Sequence, residues 1–309
     1  MKIKFKILKA LIPDFQNLKW TMAIKHFEET EYTIIYSPRN EFWADPFIVE
    51  KDDKVYIYFE AYEYKNRKGY IACGEYNRNE KRLINIKTIL KDDFHHSFPA
   101  VFEHNSKYYL VPETYQKNKV LLYEITKFPD KIRLIRTLLD NINSADTVLT
   151  KHNSHWFLFT SPNRDDEHLG HQNNIEVFYS DNLVIDPFKK VNIMNLEKSG
   201  FENSRMAGNI VLENGKMFRY SQDCVKRYGN HINKNEILLL NKKEYSEKFI
   251  KTLDKPKYAV AMHTYNKSQN YEVVDFSIKQ KGLLNFIYYN YMWYKQIPNI
   301  ILKKLKLKS

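Results

Sequence analysis

Glycine is scarce, at eight residues in a chain of 309, and neither a G-x-G-x-x-G fingerprint nor a P-loop lysine motif occurs. A Rossmann or P-loop nucleotide enzyme is therefore not expected, and no cofactor is expected. Cys73 and Cys224 are the only cysteines, too few for a disulfide scaffold or a four-cysteine zinc site. No D-x-D motif or nucleotide-binding β-α-β pattern appears, so a conventional nucleotide-sugar transferase fold is not expected. Long 3.6-period apolar stretches are nearly missing, which argues against a helical architecture. With 43% apolar and 15% aromatic residues, the chain can nonetheless bury a sizeable core, and bulk disorder is ruled out.

The positive charge sits at the ends. Residues 1–9 carry four lysines and no acid, and residues 279–309 carry seven lysines and no acid, which together make eleven of the net +12. The body is close to neutral, so a nucleic-acid groove along it is not expected. Neither end offers the uninterrupted apolar core of a signal peptide or a spanning helix, and a cytoplasmic protein is expected. The segment 283–309 mixes aromatic and aliphatic residues with lysines, a composition suited to an anionic lipid interface. A docked terminal helix with a solvated lysine tail is the plainer alternative.

The interior reads as strands. DPFIVEKDDKVYIYFE (45–60), FPAVFEHNSKYYLVPE (98–113), DTVLTKHNSHWFLFTS (146–161) and GNIVLENGKMFRYSQ (208–222) are each a strand, a polar turn and a second strand. Their starts are separated by 53, 48 and 62 residues, the spacing of four-stranded propeller blades. A weaker fifth copy, MHTYNKSQNYEVVDFS, spans 262–277, and KWTMAIKHF (19–27) is the strand expected to close the ring. The fold class is therefore all-β: a five-bladed β-propeller over residues 15–278, with a basic segment at 1–14 and a basic amphipathic tail, read as helical, at 279–309. A β-sandwich built from the same hairpins is disfavoured because it does not require this repeat.

Blade-start residues of a propeller converge on a central funnel. The repeat thus nominates Asp45, His96, Asp146, Arg205 and His263, with Glu60, Glu113, Gln222 and Asp223 at second-strand ends. Paired carboxylates are what glycosidic-bond chemistry needs, since one stays ionised while another moves a proton. Asp45 and Asp146 suit the first task. Glu113, after Pro112 in an aromatic strand, is expected in a drier setting that keeps a proton on it. Trp43 is the aromatic nominated to stack on a sugar face. His152 and His155 flank a predicted turn, and His168 and His171 sit in a polar loop without a nearby carboxylate at a typical zinc spacing, so no metal is expected.

W-A-D-P-F at 43–47, H-H-S-F-P at 95–99, V-P-E at 111–113, S-A-D at 144–146, R-M-A-G at 205–208, S-Q-D-C at 221–224 with Tyr228 and Gly229, and H-T-Y-N at 263–266 together resemble the N-terminal domain of plant glucosamine inositolphosphorylceramide transferases and its free-standing bacterial relatives. The resemblance covers roughly residues 20–278. That domain is in turn similar to the five-bladed propellers of arabinanase, xylosidase and invertase-type glycoside hydrolases. It implies a carbohydrate site in the funnel, in proteins of surface-polysaccharide or glycolipid assembly. By the same resemblance Asp45 matches the hydrolases' base or nucleophile and Asp146 the aspartate that tunes their acid. The acid itself does not carry over: where they place a glutamate, this chain has Ala207 within Arg205-Met206-Ala207-Gly208.

Arg205 shifts the expected chemistry. A guanidinium can bind phosphate bidentately, and a phosphate leaving group needs little protonation. The expectation is glycosyl transfer from a phosphate-linked, lipid-borne sugar at an anionic membrane surface. A hydrolase with a relocated acid and a non-catalytic glycan-binding module are the alternatives, and Arg205 as a structural ion pair with Asp45 or Asp146 stays open.

Overall fold

Each repeated hairpin is the inner part of one sheet in the computed structural model, which describes residues 18–162, 175–194, 196, 200–203 and 205–279. Blade one runs Glu41–Lys51, Lys54–Glu63, Lys68–Asn77, Arg82–Leu90, and blade two Ser97–His104, Lys107–Glu113, Lys119–Lys127, Lys131–Asp140. Blade three runs Ser144–His152, His155–Pro162, Glu176–Ser180, Lys189–Lys190. Blade four is Val211–Glu213, Lys216–Asp223, His231–Leu240, Glu244–Thr252, and Asn192–Ile193 adds a parallel fifth strand at its outer edge.

Blade five closes the ring from both ends of the chain. Tyr265–Lys267 and Tyr271–Lys279 come from the C-terminal side, Leu18–His26 and Thr33–Ile35 from the N-terminal side. The expected closing strand pairs antiparallel with Tyr271–Lys279, and a second N-terminal strand, too short to stand out in the sequence, lies outside it. Leu18 sits opposite Lys279, so the described chain enters and leaves at one place. The basic segments 1–14 and 280–309, including the tail read as helical, lie outside the described residues, as do His168 and His171.

The strands follow from where their side chains go. Second strands such as Lys54–Glu63 are covered on both faces and read as near-continuous apolar runs, whereas the outer Arg82–Leu90 keeps only a few buried positions. Three clusters fill the gaps between blades. Phe47 meets Phe98 edge to face at 5.0 Å between blades one and two. Met22 and Ile24 pack with Trp43 and Phe59 between blades five and one, and Phe218 and Tyr220 pack with Met262 and Val274 between four and five. Removing a ring such as the fully buried Phe98 would cost about 3–5 kcal/mol.

Candidate active site in the central funnel

The residues that reach the funnel are aimed there by one recurrent backbone device. In blades one, two and three the pairing of the first two strands slips at the same place, between Ala44 and Phe47, Ser97 and Ala100, and Ala145 and Val148. At each slip one residue adopts a left-handed conformation: Asp45 (φ 51°), Phe98 (φ 44°) and Asp146 (φ 53°). Such bulges break the in-out alternation and re-aim a side chain. Aspartate tolerates the left-handed region better than most residues, which suits it to two of the three positions. In blade four Gly208 (φ 151°) occupies the tight spot; a Cβ there would lie 2.0 Å from the Tyr265 carbonyl oxygen.

The result is an open cavity of about 350 Å³ whose floor carries Asp45, Glu60, Glu113, Asp146, Arg205 and His263. Trp20 and Tyr228 form one wall, and Phe42, Tyr62, His95 and Ser97 another. Trp20 stacks on His263 at 3.9 Å, and Phe42 stacks on Tyr62 at 4.6 Å. Flat aromatic faces beside hydrogen-bonding groups are the ordinary equipment of a saccharide site.

Each acid is differently held. Asp45 accepts from the Thr264 hydroxyl (2.8 Å) and the Phe98 N–H (3.1 Å), and donates its own N–H to Asp275 (2.9 Å). Burial pushes its pKa up to about 6, against the pull of the nearby His263 and the Thr264 hydrogen bond. Asp146 accepts from Arg205 Nε (2.5 Å) and Gln222 Nε2 (3.0 Å). Glu113 accepts the Asp146 N–H (3.0 Å) and lies 3.6 Å from Arg205 Nη2. Burial, followed by the Asp146 charge, raises Glu113 to about 8 despite Arg205. Arg205 is held charged: burial opposes the charge, but Asp146, Tyr228 and Glu113 outweigh it.

Asp45, His263 and Asp275 could present a metal with three ligand atoms within 4.8 Å of one another. These atoms satisfy each other instead. His263 Nδ1 lies 2.6 Å from Asp275 Oδ2, and the His263 and Thr264 N–H groups donate to Asp275 Oδ1. Burial works against the His263 charge, but Asp275 and then Asp45 prevail and raise its pKa.

The structure thus brings together Asp45, Glu113, Asp146, Arg205 and His263 from five blades. Gln222 lies just behind them, steering Asp146 while its amide also donates to the Met206 carbonyl (2.9 Å). Besides Gln222, three nominated residues do not line the cavity. Trp43 is buried against Phe59 and donates to Glu41 (3.0 Å), because the bulge at Asp45 ends the alternation and leaves Phe42 as the aromatic facing the funnel. His96 turns away to pair with Asp92 (2.8 Å), and its neighbour His95 lines the cavity instead. Asp223 caps the next turn through the Val225 N–H (2.9 Å). Trp20, Phe42, Tyr62 and His95 line the cavity without having been nominated; for Phe42 the signal lies in the register of the bulge at Asp45.

A five-bladed propeller with acids at the floor of its funnel is a fold shared with solved carbohydrate-active proteins. The chain is similar to an exo-β-1,3-galactanase from Clostridium thermocellum (TM-score 0.55, 14% identity, 68% of this chain and 50% of that one). It is likewise similar to a β-1,2-mannobiose phosphorylase from Listeria innocua (TM-score 0.55, 10% identity, 82% of this chain and 96% of that one). At these identities the likeness is one of fold. The sequence is more specific: residues 21–280 match the family described as glucosamine inositolphosphorylceramide transferase 1, N-terminal, and the chain belongs to that family. The Arabidopsis thaliana protein named glucosamine inositolphosphorylceramide transferase 1 is 29% identical over 212 residues, 67% of this chain and 27% of that protein. Its Oryza sativa subsp. japonica counterpart is 29% identical over 213 residues, 67% of this chain and 28% of that protein. The chain therefore spans little more than a quarter of the length of these curated relatives.

Proposed function

We propose that the funnel binds a sugar and transfers it during assembly of a cell-surface glycan or glycolipid, with the protein resting on the inner face of an anionic membrane through its basic ends. The observation that carries this reading is the meeting of Asp45, Glu113, Asp146 and Arg205 on the floor of one open, aromatic-walled cavity. Asp45 acts as the base that activates the incoming hydroxyl. Arg205, held by Asp146, presents its guanidinium to a phosphate on the donor. The relatives' name, glucosamine inositolphosphorylceramide transferase, supports a lipid-borne acceptor.

One observation favours hydrolysis as a second reading. Burial and the Asp146 charge raise the Glu113 pKa to about 8, which suits a relocated acid in place of the glutamate that Ala207 displaces. Incubating the full chain with labelled nucleotide sugars, polyprenyl-phosphate sugars and lipid vesicles separates the readings. Transfer predicts labelled lipid or oligosaccharide that falls by at least about 10² with Asp45→Asn. Hydrolysis predicts free sugar alone. Saccharide binding that persists in Asp45→Asn and Asp146→Asn without turnover in either protein would leave only a binding module.

A further inference from the structure

The repeat makes Glu60 and Glu113 counterparts. Glu60 pairs across its hairpin with Ala44, immediately before the slip of blade one, and Glu113 pairs with Ser97, immediately before the slip of blade two. In blade two the carboxyl is used structurally: Glu113 accepts the N–H of Asp146, the left-handed residue of the next blade. The equivalent N–H for Glu60 is that of Phe98, and it donates to Asp45 instead. Glu60 is thereby released from the frame and lines the cavity beside the Phe42–Tyr62 wall.

Its neighbour is a histidine of defined tautomer. Gly69 N–H donates to His95 Nδ1 (2.8 Å), so the neutral ring carries its proton on Nε2. That nitrogen lies 3.4 Å from Glu60 Oε1. Burial drives the His95 pKa down to about 4, and the ring is neutral at physiological pH. Burial, reinforced by Asp45 and Glu113, holds Glu60 well above the ordinary carboxylate range. Gly69 lies tight against this pair: a Cβ there would lie 2.3 Å from Glu60 Oε1, 2.4 Å from the His96 carbonyl oxygen and 2.8 Å from His95 Cε1.

Building on the glycosyl reading, we propose that Glu60, oriented by His95, is the catalytic acid of the funnel, and that Glu113 is a positioning residue for Asp146 and Arg205. As the bond from the anomeric carbon to the leaving oxygen breaks, its electron pair goes to that oxygen, which takes the Glu60 proton. The new Glu60 carboxylate accepts a hydrogen bond from His95 Nε2–H. The incoming hydroxyl bonds to the anomeric carbon and gives its proton to Asp45, and solvent returns Glu60 and Asp45 to their starting states. A sugar stacked on Phe42 and Tyr62 brings its leaving oxygen to the Glu60 side.

Nuclear magnetic resonance on the full chain, with ¹³C-carboxyl glutamate and ¹⁵N-histidine, tests the proton inventory without a substrate. Glu60→Gln and Glu113→Gln assign the two signals. The expected result is a Glu60 carboxyl that stays protonated through neutral pH and a His95 with its proton on Nε2, while His95→Phe moves the Glu60 midpoint further up. A Glu60 titrating near the usual glutamate value, or a His95 protonated on Nδ1, overturns the assignment. A panel of 4-nitrophenyl and methyl glycosides supplies the kinetic arm. Glu60→Gln should lose about 10²–10⁴-fold on methyl leaving groups, yet stay within about tenfold of the parent on nitrophenyl ones, which need no proton. An equal loss on both, or the same split in Glu113→Gln, also overturns it. Wild-type inactivity on the whole panel counts against the hydrolytic reading and leaves the proton inventory to decide Glu60 separately.

Discussion

Replacing Arg205 by methionine isolates the ion pair on which the geometry of the funnel rests. Its Nε lies 2.5 Å from Asp146 Oδ2, and the two side chains keep only 10% and 4% of their surface. A buried pair of this kind contributes little net stability, because desolvation offsets most of the attraction, but removing one partner strands a buried charge at about 3–5 kcal/mol. Arg205→Met should therefore lower the unfolding free energy in urea by about that amount near pH 8. The loss should shrink in acid, where protonation removes the stranded charge, and in the double variant Arg205→Met/Asp146→Asn, giving a coupling energy of at least about 2 kcal/mol. A loss under about 1 kcal/mol that is also independent of pH would refute the reasoning, since it would mean the guanidinium is solvated and not committed to Asp146.

Three further outcomes can be checked. Native Glu113 and Asp45 hold protons that the unfolded chain releases, with pKa values of about 8 and about 6 against 4.5 and 3.8. Their contribution is whole below the unfolded values and is lost as pH rises through the folded ones, with a slope of up to about 1.4 kcal/mol per pH unit for each group. Urea unfolding at several pH values between about 4 and 8 should show it, and Glu113→Gln should flatten the upper half. Gly208→Ala should cost about 3 kcal/mol or more, since the added Cβ meets the Tyr265 carbonyl. Gly215→Ala meets nothing within 4 Å and carries only its left-handed φ of 75°, a cost of about 1 kcal/mol; equal melting temperatures for the two variants would contradict the close approach of blades four and five. The full chain should sediment with anionic vesicles more strongly than a chain ending near residue 278, and equal sedimentation removes the membrane role of the tail.

Much of the fold was legible because propeller blades repeat a two-strand pattern whose inner strands are buried on both faces. Aromatic runs such as KVYIYFEAY therefore announced the blades, and the spacing announced their number. The second N-terminal strand was not legible: Thr33–Ile35 is three residues with one buried position. At the site, charge was the useful signal. Asp45, Glu113, Asp146 and Arg205 stand at hairpin ends where core residues would otherwise be, and the ring brings them together. Aromatics carried no such signal, since a propeller packs them everywhere, and the left-handed backbone at Asp45 shifts the alternation so that Phe42, not Trp43, faces the funnel. Glu60 was visible as a strand-end acid, but its release from backbone duty depends on where the Phe98 N–H points, which only coordinates reveal.

The most direct measurement is a crystal structure of the full chain with a bound sugar donor or product. The account predicts the sugar ring against Trp20 or the Phe42–Tyr62 wall, with its anomeric carbon within reach of Asp45 and a donor phosphate on Arg205. A saccharide seated on an outer blade edge, with turnover unchanged in Asp45→Asn, would contradict it.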